Sequence, residues 1–291
     1  MLHTIQNECL SVTVDELGAQ LWSIRAADGT EALWQGDARY WADRSLTIFP
    51  YVARLWQGQY ELDGQTYRMP IHGFAPGSVF AVAEKTDTKL TLVLTDSEET
   101  LSQYPRRFAL RMIYVLEGDK LAVTHEVENR DERSMYFGLG GHPGFNVPLE
   151  AGRAFEEYRL RFGETCEPVR VGFSPDCFVN GEDAPFALEE GCILPLAHDL
   201  FDDDAIVLTH MAREVTLEAL GSGRSVTVAY PDMPYLGIWH WPKTDAPYVC
   251  IEPWASLPAR HGERTVFEQQ EDLIRLEPGK TYRNRWTVQI R

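Results

Sequence analysis

Phe137-Gly138-Leu139-Gly140-Gly141-His142-Pro143-Gly144-Phe145-Asn146 is the stretch on which the reading of this chain turns. Three glycines precede one histidine, and a Pro-Gly pair follows it. Glycine permits tight turns and close approach of ligand or chain, while proline fixes φ and removes a backbone donor. The pattern predicts a strand that breaks into a loop at His142. That break needs a reason, and it makes His142 the point around which the chain is organised.

Outward from that point the chain reads as strands. Residues 134–139 run into the motif, and 108–116 with 121–128 form a hairpin before it. Residues 10–14 and 20–25 alternate with the strand period. Asp28-Gly29 and Asp63-Gly64 are hairpin turns. Residues 45–54 read as an apolar strand ending in Arg54, and 247–254 as one ending in the motif Glu252-Pro253-Trp254. Residues 215–220 and 225–230 make a further hairpin, and 282–290 close the chain. Residues 95–104 are expected to hold a short helix, opened by a Thr95-x-x-Glu98 capping pattern. Residues 150–198 read as long loops with short strands. Many short strands separated by turn signals predict an all-β, antiparallel sandwich or barrel. Long helices alternating with strands are missing, which argues against a doubly wound fold. Nothing in composition marks a boundary, so residues 1–291 are expected to form a single domain.

Bulk composition narrows the partners. The 291 residues carry a net charge of −17. Such a chain repels phosphate backbones and anionic lipid, so neither nucleic acid nor membrane is an expected partner. A small anionic substrate is not excluded, since a site can be locally basic. The five cysteines are scattered with no paired spacing, which fits reduced thiols and a cytoplasmic location. The first eight residues have neither the basic region nor the apolar run of a signal peptide, and no stretch approaches the ~18 apolar residues of a membrane helix.

Four strand ends are expected each to carry one polar residue in a stiff Pro, Gly or aromatic setting: Arg54, His72, His142 and Glu252. Groups on loops fixed by a rigid sheet are where catalysis tends to sit. A histidine exchanges protons near neutrality, a carboxylate is its natural opposite, and an arginine forks onto hydroxyls or an oxyanion. Together they suit proton transfer at two points of one small substrate. Each also has a plain structural reading. Either histidine could be a local hydrogen-bonding residue, and Glu252 could form a buried ion pair, with Arg54 as its partner. His125, between Val123 and Val127 on one strand face, reads as a core histidine. Trp239, Trp241 and Trp254 read as core aromatics or as faces on which sugar C–H surfaces stack. No zinc spacing, nucleophile elbow, dinucleotide fingerprint or P-loop is present.

Gly141-His142-Pro143-Gly144-Phe145, Cys250-Ile251-Glu252-Pro253-Trp254, Phe49-Pro50-Tyr51-Val52-Ala53-Arg54 and His72-Gly73-Phe74-Ala75 together resemble the aldose 1-epimerase (galactose mutarotase) family, in particular its shorter, LacX-like bacterial branch. The resemblance runs over nearly the whole chain in the right order. It implies a β-sandwich of the supersandwich type with an open groove. It also implies interconversion of the α and β anomers of a small-molecule sugar, without metal or cofactor, by a monomer or homodimer. By motif, Glu252 matches the general base at the C1 hydroxyl and His142 the general acid at the ring oxygen, so Glu252 is expected ionised and His142 protonated in the working form. His72 and Arg54 match substrate-binding residues. Asp204, with Asp203 as the alternative, matches an aspartate that holds sugar hydroxyls, and Trp239 is a candidate groove aromatic. Two positions depart from the family pattern. Ala53 stands where relatives usually carry glycine, and Pro76-Gly77 where they commonly carry Arg-Asp, so that groove arginine has no counterpart. Two other functions suit the same residues: a non-catalytic sugar-binding or sensing protein on the same fold, and a glycosidase using Glu252 and Asp204.

Overall fold

In the computed structural model, which describes residues 1–291, two large antiparallel sheets face each other. The first has nine strands, in the spatial order Ile193–Pro195, Tyr158–Phe162, Glu214–Ala219, Ser225–Ala229, Thr281–Ile290, Lys120–Asn129, Phe108–Glu117, Lys89–Thr95 and Ala81–Lys85. The second has seven: Ala184–Pro185, Val169–Arg170, Ile206–Thr209, Tyr235–Trp239, Tyr248–Trp254, Gly140–Asn146 and Ser45–Ile48. Smaller two- and three-stranded sheets flank them. The all-β antiparallel sandwich expected from the turn spacing is the fold observed.

Alternation along each strand decides what faces the core. On the seven-stranded sheet Phe145, Leu236, Ile238, Val249 and Ile251 point inward and pack in one cluster with Val226, Val228, Trp286 and Val288 of the nine-stranded sheet. Burying each such side chain contributes about 1.5–3 kcal/mol. The opposite face of the seven-stranded sheet carries a second set. There Trp34, Trp41, Tyr248 and Cys250 form one small apolar cluster, and Ile48, Val52, Val207 and Trp254 form another. Glu252 lies between Cys250 and Trp254 on that same face of its strand.

Three expectations are corrected. His142 is not where a strand breaks: it is in the middle of the seven-residue strand Gly140–Asn146. None of Gly138, Gly140, Gly141 or Gly144 has a positive φ. They are small because neighbours press on them. A Cβ on Gly141 would lie 2.7 Å from the Trp286 ring, and one on Gly140 2.7 Å from the Pro253 carbonyl oxygen. Secondly, the strand in residues 45–54 stops at Ile48, so Arg54 lies in the loop beyond it, after Pro50. His72 likewise lies in a loop. Thirdly, the helix is the single stretch Glu98–Gln103, and its cap is Ser97 with Thr100 rather than Thr95 with Glu98. Thr95 is the last residue of the preceding strand instead.

Candidate active site

Strand register puts the two central residues together. Gly140–Asn146 pairs antiparallel with Tyr248–Trp254 through Gly140 opposite Trp254 and Gly144 opposite Cys250. The same register sets His142 directly across from Glu252. Residues opposite one another in an antiparallel pair share a face. The ladder is not closed between these contacts: Pro143 and Pro253 have no N–H to give. On its other side Glu252 is opposite Gly237, whose missing side chain leaves the carboxyl uncrowded; a Cβ there would be 3.0 Å from Trp254.

His142 Nε2 is 3.2 Å from Glu252 Oε2, but the two are not aligned as a hydrogen bond, and Oε2 has no other partner. Both residues are buried, at 7% and 1% exposure. Burial raises Glu252 well above the usual carboxylate range, the Asp204 charge adds to this, and the Trp254 indole opposes it. Burial lowers His142 well below the usual histidine range, with neighbouring His72 adding to it. Burial in the groove therefore disfavours both charges and favours a carboxylic acid beside a neutral imidazole. This differs from the ionised Glu252 and protonated His142 expected of the working form, although the pair holds one proton either way.

The remaining candidates stand around this pair. One cavity of about 520 Å³ is lined by His142, Glu252, His72, Arg54, Asp204 and Trp239. His72 and Ala53 hold each other: Ala53 N–H donates to His72 Nδ1 at 3.3 Å, and His72 N–H to the Ala53 carbonyl at 2.9 Å. The first bond leaves the His72 proton on Nε2. Burial, aided by Arg54, pushes His72 down to about 4, so it is neutral at pH 7. Ala53 has φ +52°, a left-handed conformation that glycine adopts without strain. That conformation is the physical reason a glycine is expected at this position. Arg54 is not the partner of Glu252; its guanidinium donates to the Asp176 carbonyl at 3.3 Å.

Asp203 and Asp204 both border the cavity. Asp203 is exposed and Asp204 half-buried. Asp204 is also fixed, accepting from Ala205 N–H at 2.9 Å and from the Cys177 thiol at 2.8 Å. Aromatic rings complete the wall. Trp41 lies 4.8 Å from the His142 ring and Trp239 5.7 Å from it, edge-on. Cys177, Trp41 and Phe173 were not singled out from the sequence. They lie in irregular segments, where no period marks which side chain turns toward the groove, and only Trp41's tryptophan identity offered a signal.

His142, Cys250 and Glu252 bring potential metal-donor atoms within 4.8 Å of one another. Metal coordination needs a thiolate, and burial holds the Cys250 thiol well above its usual range, with Glu252 adding to it. The trio is therefore a poor fit to a thiolate metal site.

The aldose 1-epimerase family model matches residues 1–289, and the chain belongs to that family. It is 31% identical to the chromosomal protein LacX of Lactococcus lactis, over an alignment covering 98% of each chain. A galactose mutarotase related enzyme from Lactobacillus acidophilus superposes with a TM-score of 0.95 at 31% identity, covering all of this chain and 97% of the other. A galactose mutarotase-like protein from Lactobacillus casei gives 0.93 at 33% identity, with both chains fully covered.

Proposed function

We propose that this chain is an aldose 1-epimerase-like isomerase interconverting the α and β anomers of an aldohexose or related sugar, and that it works as one domain over residues 1–291. The observation that carries this reading is His142 set opposite Glu252, across an unclosed stretch of ladder, on the wall of a cavity with indole sides and polar ends. Glu252 removes the proton of the C1 hydroxyl as general base. His142 protonates the ring oxygen as general acid. The ring opens, the C1–C2 bond rotates, and reclosure leaves the hydroxyl on the other face. Positioned acids and bases of this kind contribute about 10²–10⁴-fold each.

The proton count supports these roles. A carboxylic acid beside a neutral imidazole holds the same single proton as a carboxylate beside an imidazolium. One proton moved across the pair, 3.2 Å apart, converts the resting arrangement into the working one, with none drawn from solvent. The indole of Trp41 favours the imidazolium by cation–π attraction. His72, neutral, presents Nε2–H to a sugar oxygen. Arg54 and Asp204 grip hydroxyls, and Trp239 stacks on the C–H face of the ring.

Addition of the purified protein is expected to speed anomer exchange of at least one aldohexose above its buffer rate. Saturable sugar binding with no acceleration would instead make the chain a sugar-binding or sensing protein.

A further inference from the structure

Beyond the seam formed by Cys177, Asp203 and Asp204, the groove does not end. A second cavity of about 710 Å³ opens there, sharing Phe173, Cys177, Asp203, Asp204, Ala205 and Pro242 with the first. Ligand cavities commonly measure about 300–1,000 Å³, so each of the two alone is large enough for a small molecule. The first cavity already surrounds the proposed reacting pair. The second is far more space than one ring bound beside His142 and Glu252 requires.

Its wall is polar. Arg170 and Lys243 line it, and neither makes an ion pair or a side-chain hydrogen bond within the chain. Both therefore keep their hydrogen-bond donors free to offer a ligand. Ser174 adds a hydroxyl that accepts from Phe178 N–H at 3.3 Å and still has its own proton to give. Acceptors line the cavity too. Glu182, Asp202, Asp203 and Asp204 face the same space, so the acids outnumber the two cations. This balance opposes a phosphate or carboxylate occupant and suits a neutral one rich in hydroxyls, which both donate and accept. Phe173, at the junction, offers an aromatic face to C–H surface.

We propose that the substrate is a reducing disaccharide. Its reducing ring lies between His142 and Glu252, and its second ring passes Asp204 into the cavity lined by Arg170, Ser174 and Lys243. The inference rests on the epimerase reading, because it extends the same substrate site. A 1→4 linkage leaves C1 of the reducing ring free and attaches the second ring across the ring from it, so it is a suitable probe.

The test compares anomer exchange of glucose with maltose, of galactose with 1→4-linked galactobiose, and of glucose 6-phosphate, in the unaltered protein and in Arg170→Ala and Lys243→Ala. A hydrogen bond from a charged donor corresponds to about tenfold in affinity. At least one disaccharide is therefore expected to show a kcat/KM about tenfold above its monosaccharide. Each variant should remove most of that advantage while leaving the monosaccharide rate within about twofold. Equal kcat/KM for monosaccharide and disaccharide in all three proteins would overturn the proposal. So would a preference for glucose 6-phosphate that the variants abolish, which would make the second cavity an anion site. If no sugar is turned over, the epimerase reading fails by itself. Calorimetric binding of the same pairs then decides the second cavity: tighter disaccharide binding lost in Arg170→Ala supports it, and equal binding overturns it.

Discussion

At Glu252 and His142, chemistry and electrostatics make a joint demand. Glu252→Gln removes the proposed base and His142→Asn the proposed acid, and each is expected to lower the exchange rate by about 10²-fold or more. Circular dichroism should remain unchanged, because both replacements keep shape and add no charge. The pair works only while it holds one proton. Acid adds a second proton to His142, and burial delays this to well below the usual histidine range. Alkali removes the proton from Glu252, and burial delays this to well above the usual carboxylate range. The rate should therefore be bell-shaped in pH, its acid limb lying below the usual histidine range and its alkaline limb above the usual carboxylate range, and a rate that climbs steadily with pH would contradict one shared proton. The Cys177 thiol donates to Asp204, the proposed hydroxyl-binding residue. Cys177→Ala should raise KM several-fold with little change in kcat, whereas Cys177→Ser, which keeps a donor, should restore the native KM. Loss of kcat in both variants would point to a merely structural thiol.

The strand Gly140–Asn146 carries the argument at the scale of elements. Its glycines make room for close packing, so Gly141→Ala should overpack the site beneath His142 against Trp286 and cost about 1–3 kcal/mol, measured by urea unfolding. The sequence marked this stretch as unusual and placed its histidine at the centre, but misread the cause. Gly and Pro are the same letters in a turn and in a crowded central strand. What distinguishes them is Trp286 and Pro253, both distant along the chain. The pairing of His142 with Glu252 was suggested only by their motifs, because register between separated strands is a property of the folded sheet. The loops behaved differently. Arg54, His72 and Asp204 were legible as residues and not as places, since Pro and Gly announce a loop without giving its path. The left-handed conformation at Ala53 explains in retrospect why its side chain looked out of place.

Over the whole molecule, alternation and turn spacing were enough to read an antiparallel all-β chain, because burial on one sheet face imposes period two wherever it occurs. The second cavity was not legible, since it is built from residues in short segments between 170 and 184, at 202–205 and at 242–243. No helix is long and apolar enough to cross a membrane. Two histidines that do not line the groove tie the fold to pH. His125 and His240 are fully buried, and burial pushes each to about 4. A depressed histidine stabilises the fold fully above its unfolded value of 6.5, and that stability is lost as pH falls toward the folded value. Each accounts for at most about 3 kcal/mol. The unfolding free energy should thus fall by several kcal/mol between about pH 6.5 and pH 4, as measured by urea titration at each pH, and a flat profile would be inconsistent with neutral buried histidines.

The central claim is that His142 and Glu252 together open and reclose a sugar ring. Two-dimensional NMR exchange spectroscopy tests it most directly, by following magnetisation transfer between the α and β anomeric protons of an aldohexose panel and its disaccharides. The account predicts cross-peaks that grow with protein concentration for at least one sugar and vanish in both Glu252→Gln and His142→Asn. Exchange no faster than in buffer for every sugar, or undiminished exchange in both variants, would contradict it.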